Sequence, residues 1–254
     1  MSAFDAPTVS ATPPAHPRID AAGRTDRGQV REANEDAFFA NPEAGVFAVA
    51  DGLGGLPGGA DASRRIVELL AESHGPAPSA TPPDDLGEHI IAINHVVARE
   101  SAEAHPFTGA GSTLTLLRLR GGEGSVAHVG DSAAYHWRDG ELRKVTTDHT
   151  MEQEWRNRYG VTSVAEMPPE FPHTLTRCVG QSGELRVDQT RFPVIAGDRL
   201  LLCTDGLHKV LPPDTLGETL ASGATAAAIA DRLIELANAR EGPDNITLIA
   251  ILLH

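Results

Sequence analysis

Six short apolar runs, Val46–Ala50, Thr113–Leu119, Ser125–Val129, Ala134–Arg138, Leu200–Cys203 and Ile246–Leu253, are mostly separated by turns containing Gly, Asp or Pro. Runs of this length bounded by chain-reversing residues predict strands, and their spacing favours antiparallel pairing over a parallel βαβ array. In WRDGELRKV the Asp139-Gly140 pair sits between two extended segments and predicts a tight hairpin. Three other stretches carry apolar residues at helical spacing: Ala62–Ser73, with Ala62, Ile66, Leu69 and Leu70 on one face; Leu86–Ala104, with Leu86, Ile90, Ile93 and Val97; and Ala226–Arg240, with Ile229, Leu233, Leu236 and Ala237. Thr225 is placed to cap the last of these. Paired helices framed by strands predict sheets covered by helices.

Four aspartates fall at the edges of the strand runs: Asp51 in FAVADG, Asp131 in VAHVGDS, Asp205 in LLLCTDG and Asp244 in GPDNITLIAILL. A single Asp-Gly is explained by turn chemistry, because Gly accepts φ > 0 and Asp hydrogen-bonds its own backbone. Four carboxylates at strand ends can converge on one edge of a sheet. Hard oxygen ligands on a rigid edge suit Mg²⁺ or Mn²⁺ rather than zinc, so the pattern points to a metal-assisted enzyme.

The formal charge of −14 disfavours nucleic acid and anionic membrane surfaces as partners. Cys178 and Cys203 are the only cysteines and form no CxxC, so neither a disulfide framework nor a zinc site is indicated, and both read as buried thiols in a reducing compartment. The start, MSAFDAPTVSATPPAHPRID, lacks the basic and apolar regions of a secretory signal and reads as a disordered Pro- and Ala-rich tail over 1–20. No apolar stretch approaches the roughly 20 residues needed to span a bilayer, so a cytoplasmic location is expected. At 254 residues and 41% apolar, the rest of the chain, 21–254, reads as one domain with a sizeable core. Residues 151–176 break the strand rhythm with mixed charge, aromatics and prolines, and read as an inserted flap near the mouth of the site, or more plainly as a surface helix and loop.

The segments DRGQVREANEDA, ADGLGG, GSTLTLL, VGDSAAYHWRDGELRKVTTDHT, LTRCVG, GDRLLLCTDGL and GPDNITLI, in this order, resemble the metal-dependent protein phosphatases of type 2C, in particular compact bacterial members. The resemblance runs from about Asp26 to the C-terminus. It implies an α+β fold, a four-layer αββα sandwich of two antiparallel sheets flanked by helices, with the metal centre at one end. It implies that Asp51 bridges two divalent cations, Mn²⁺ or Mg²⁺, that the carbonyl of Gly52 completes part of one shell, and that Asp205 and Asp244 hold the second ion. Glu35 and Asp36 would act through water on the ions, Arg31 would bind the substrate phosphate, and Asp131, sharing Asp205, would hold a third ion. Hydrolysis would then use a water acidified by the ions, without a covalent phosphoenzyme. The substrates implied are phosphoserine and phosphothreonine in proteins, opposing a cognate serine/threonine kinase, with the chain itself a monomer. Asp148 and His149 match the family pattern as a turn-stabilising Asp beside a packed His, and Arg177 as either a substrate contact or a support.

Several positions depart from that pattern. The first loop lacks an expected His and Glu, with Leu56 and Ala60 in their places, and Asp61 lies one position late. Ala133 follows GDS where an Arg is common, removing a charge partner for Asp131. Leu53 stands where some eukaryotic relatives carry a His proposed as general acid, so leaving-group protonation falls to water at the ions. The altered first loop keeps open a pseudophosphatase that binds a phosphoprotein without hydrolysis, and the same chemistry would serve a small phosphorylated metabolite. Trp155, Arg156, Arg158 and Tyr159 in the flap are the candidates for reading residues beside a phosphosite.

Overall fold

The computed structural model describes residues 17–53, 58–106, 109–160 and 167–254. Most of the expected tail and the departure at Leu56 lie outside the described residues. Ten strands form two antiparallel sheets. One has the order β1 (Ile19–Asp26), β10 (Ile246–Leu253), β9 (Arg199–Cys203), β6 (Ala133–Arg138), β7 (Glu141–Lys144); the other has the order β2 (Asp36–Asn41), β3 (Val46–Asp51), β4 (Leu114–Arg120), β5 (Glu123–Val129), β8 (Asp188–Pro193). Helices α1 (Gly59–His74) and α2 (Leu86–Ala104) cover the second sheet, while α5 (Pro213–Ala221) and α6 (Ala226–Asn238) cover the first. Two further helices among the described residues are α3 (Met151–Tyr159) and α4 (Asp205–His208). This is the expected α+β sandwich of four layers.

The period-two alternation of the central strands explains the layering. On β3, Val46, Ala48 and Ala50 face Ile66, Leu70, Ile90 and Val97 of the helices, while Phe47 and Val49 face the other sheet. On β10, Ile246, Leu248, Ala250 and Leu252 pack under α5 and α6, while Ile249, Ile251 and Leu253 join Leu117, Val126, Leu200 and Leu202 between the sheets. Both faces of these strands are buried, which is why they read as unbroken apolar runs. The strands outside the six apolar runs and the hairpin, β1, β2 and β8, are sheet edges with few buried side chains. Within β1, Gly23 is required because any Cβ there would overlap the ring of Phe38 on the facing sheet.

The Asp139-Gly140 hairpin forms between β6 and β7 with φ of 50° and 88° at its two central residues, and the Thr225 side chain caps α6 by accepting from the Ala228 N–H. No helix among the described residues is long and apolar enough to cross a membrane.

The layer between the sheets sets a stability expectation. Leu202, 1% exposed there, costs about 2–5 kcal/mol on truncation to Ala, whereas Ile195→Ala, at a site 55% exposed, costs less than about 0.5 kcal/mol. Urea unfolding of the two variants checks this; equal losses would mean that the inter-sheet layer is not the principal core.

Candidate metal centre

β3, β5 and β9 end, and β2, β6 and β10 begin, at one end of the sandwich, so the four aspartates at strand edges are brought together there. Arg31, Glu35, Asp51, Gly52, Asp131, Asp205 and Asp244 line a single cavity of about 240 Å³, together with Leu53, Thr113, His173, Leu175 and Asn245. Asp36 is the cross-strand partner of Asp51, and its Oδ2 accepts from Thr204 Oγ1 at 2.8 Å, linking the two sheets.

Each aspartate is fixed by its backbone surroundings. The Asp51 N–H donates to Thr113 Oγ1 at 2.9 Å, the Thr113 N–H returns to the Asp51 carbonyl at 2.8 Å, and Thr113 Oγ1 meets Ser132 Oγ at 2.7 Å. Gly52 is needed beside Asp51 because a Cβ would overlap the carbonyl of Gly59; its N–H donates to the Glu35 carbonyl at 3.1 Å. Asp205 opens α4 immediately after β9, and Gly206 follows it because a side chain there would overlap the Asn245 carbonyl. Asn245 anchors the loop that carries Arg31 and Glu35: its Nδ2 donates to the carbonyls of Arg27 and Ala33 at 2.9 Å each, and its Oδ1 accepts from the Glu35 N–H at 2.8 Å.

Charge crowding dominates the electrostatics. Burial, and then the charges of Asp36, Asp205, Asp131 and Asp244, hold the Asp51 carboxyl well above the usual carboxylate range. Burial pushes Asp36 up to about 7 against the Thr204 hydrogen bond, and burial with the Asp205 charge pushes Asp131 up to about 6. Burial also raises Glu35. Asp205 differs: burial would raise it too, but the Lys209 ammonium reverses the effect and holds it below the usual range. Lys209 Nζ lies 2.7 Å from Asp131 Oδ2 and 2.9 Å from Asp205 Oδ2. Arg31 Nη2 donates to Asp244 Oδ2 at 2.8 Å.

The donor set fits divalent cations of the hard kind. Asp51, Asp205, Asp244 and the Gly52 backbone offer oxygen only, around one cavity. Asp36 Oδ1 is buried without a hydrogen-bond partner among the described residues, an arrangement that water on an ion would satisfy. No three His, Cys, Asp or Glu side chains among the described residues stand as a closed ligand group; Arg31 and Lys209 place positive charge against Asp244, Asp131 and Asp205.

The other residues around the centre act as supports. Ser132 and Cys203 are fully buried, and Thr204 is committed to Asp36. Asp148 accepts from Lys144 Nζ at 2.6 Å, while the buried His149 accepts the Gly130 N–H at its Nδ1, 3.1 Å away, beside Asp131. Arg177 donates to Asp188 at 2.6 Å and lies 3.1 Å from His149 Nε2, so it braces that corner. Asp61 points to Arg64 on the exposed face of α1 and does not reach the cavity lining. The segment expected to be a flap lends His173 and Leu175 to the cavity lining; Trp155 packs on Tyr159 and Phe171, and Arg156 pairs with Glu152 at 2.6 Å. The sequence reading missed Lys209, Asn245 and His173. For Asn245 a signal existed in the Asp-Asn pair before β10; for Lys209 and His173 there was none.

Comparisons agree with this architecture. The protein phosphatase 2C family profile matches residues 25–248. The serine/threonine protein phosphatase PstP of Mycobacterium tuberculosis is 35% identical over 229 residues, covering 90% of this chain and 44% of its own length. The chain thus spans less than half of that relative. The serine/threonine phosphatase stp of Listeria monocytogenes is 32% identical over 235 residues, with 90% of this chain and 93% of its own length covered. A solved catalytic domain of serine/threonine protein phosphatase PstP, in complex with two manganese ions, superposes with a TM-score of 0.77 at 35% identity, covering 92% of this chain and 98% of that one.

Charge crowding has a measurable signature in chelator. Unfolded Asp titrates near 3.9, whereas folded Asp36 is pushed up to about 7. Between these values the folded state keeps a proton that the unfolded chain has released, so rising pH costs stability. Asp36→Asn carries no such cost. Its stability relative to wild type, read by denaturant unfolding in EDTA, is expected to rise between about pH 4.5 and 7 and then level off; parallel pH curves for the two proteins would contradict the burial of an ionisable Asp36.

Proposed function

The chain belongs to the protein phosphatase 2C family, and from that membership we propose that it hydrolyses phosphoserine and phosphothreonine esters of proteins with the aid of Mn²⁺ or Mg²⁺. The observation that carries this reading is the convergence of Asp51, Asp205 and Asp244 with Arg31 on one cavity lined by oxygen donors. In this reading Asp51 would be shared between two ions, with the Gly52 carbonyl beside it, while Asp205 and Asp244 would hold the second. Such a pair of ions supplies a water acidified to react near neutral pH and neutralises charge on the phosphoryl oxygens.

The residues of the chain do the rest. Arg31 is 45% exposed in its side chain at the cavity rim and is paired with Asp244. The planar fork of Arg31, now on Asp244, would take two phosphate oxygens once that carboxylate was given over to a cation. Glu35 and Asp36 would orient water, with Asp36 held by Thr204 and Glu35 by Asn245. The phosphorus–oxygen ester bond breaks as the water oxygen adds, giving the free hydroxyl of Ser or Thr and inorganic phosphate. The opposing activity is a serine/threonine kinase acting on the same proteins.

Phosphate release from a phosphothreonine peptide at neutral pH tests the reading. Release is expected with Mn²⁺ or Mg²⁺, to stop in EDTA, and to fall on the order of 10³-fold in Asp205→Ala. A folded chain that binds Mn²⁺ and the peptide without releasing phosphate would be a binding module instead. Arg31→Ala is expected to raise KM by roughly 10–100-fold, the worth of one charge-assisted contact, with a smaller change in kcat; an unchanged KM would remove Arg31 from the phosphate site.

A further inference from the structure

Asp131 and Asp205 are the carboxylates on which a third ion would rest, but a cation of the chain's own already lies between them. Lys209 Nζ is 2.7 Å from Asp131 Oδ2, 2.9 Å from Asp205 Oδ2 and 3.3 Å from the carbonyl oxygen of Pro172 in the flap. An ammonium has three donors and no acceptor, so its hydrogen-bonding capacity is filled by three oxygens. The placement is built in: Lys209 stands four residues after Asp205, and its N–H bonds the Asp205 carbonyl at 2.9 Å, which lays its side chain back along α4. Asp131 is held from the same side, its carbonyl lying 2.9 Å from His208 Nε2. The Asp131 side chain is 7% exposed, so it has little access to solvent counter-ions.

We propose that the Lys209 ammonium permanently takes the position of a third divalent ion, so that this chain operates with two. This rests on the reading of the site as a divalent-ion centre. A divalent ion bonding Asp131 and Asp205 needs the oxygens now given to the ammonium, and it would bring two positive charges against a third within contact distance. One ammonium between two carboxylates leaves a single negative charge, carried into the centre by Asp205, whose Oδ1 is not used by Lys209. The same ammonium answers the loss of charge at Ala133, which is buried at the start of β6 and offers Asp131 nothing. Its third bond ties the 3₁₀ turn Phe171–His173 of the flap to the centre.

The test is the number of Mn²⁺ ions bound per full-length chain, by calorimetric titration and by electron paramagnetic resonance of free Mn²⁺, with no turnover involved. Wild type is expected to saturate at two ions, Asp131→Asn to stay at two, and Lys209→Asp and Lys209→Met to gain one further, weaker ion. Adding Asp131→Asn to Lys209→Met should return the count to two. Three ions in wild type, the loss of one in Asp131→Asn, or a count of two in both Lys209 variants overturns the proposal while leaving the two-ion phosphatase reading intact. No ion bound to wild type at all overturns both. The Asp131→Asn comparison keeps Lys209 in place, so the loss of an ion there would overturn the proposal even if the Lys209 variants did not fold.

Discussion

The apolar layer between the two sheets is what makes the acidic centre work. Phe47, Val49, Leu200, Leu202, Ile249 and Ile251 lock the sheets face to face, and packed sheets of this kind keep a spacing near 10 Å with little freedom to slide. Asp51 ends a strand of one sheet, while Asp205 and Asp244 flank strands of the other. Their mutual repulsion therefore cannot be relieved by moving apart. Burial and crowding favour the protonated carboxyl at Asp51, Asp36 and Asp131, and the same crowding favours cations. The energy that would otherwise oppose folding at this end becomes affinity for positive charge.

Small residues complete the arrangement where side chains would block it. Gly52 and Gly206 let the backbone of Gly59 and Asn245 approach the two central aspartates closely. Asn245 then converts a floppy-looking charge run, residues 27–35, into a fixed wall, because one carboxamide satisfies two carbonyls and one N–H of that loop. The Asp36–Thr204 hydrogen bond crosses from one sheet to the other beside Asp51, so polar as well as apolar contacts register the sheets at this end.

Much of this was legible in the sequence because it follows short-range rules. The central strands were visible from their apolar runs, α2 from its stripe with both ends correct, and the β6–β7 hairpin from Asp-Gly. The edge strands β1 and β8 were not, since an edge strand buries few side chains and its composition resembles that of a loop. The same division holds in the centre. The aspartates announced themselves by recurring at strand edges. Lys209 did not, because a lysine four residues beyond an aspartate reads as an ordinary solvated i,i+4 pair, and nothing local indicates that Asp131, distant in sequence, closes on it from another strand. Asn245 was hidden for a related reason: Asp-Asn before a strand reads as a turn until its three long-range partners are known.

The two basic residues of the centre differ in ways that fit different tasks. Arg31 sits at the rim, 45% exposed, with one nitrogen on Asp244; a planar fork there can exchange a carboxylate for a phosphate without changing its own geometry. Lys209 is set deeper, 30% exposed, with its compact charge on three oxygens, so leaving that position would cost it three contacts at once. A mobile cation is useful where substrate must arrive and depart, and a fixed one where two carboxylates must be kept together through every cycle. Ala133 offers Asp131 no charge partner, and Lys209 supplies one from a different element. Balance of charge, rather than identity at each position, is therefore the constraint that this end of the sandwich satisfies.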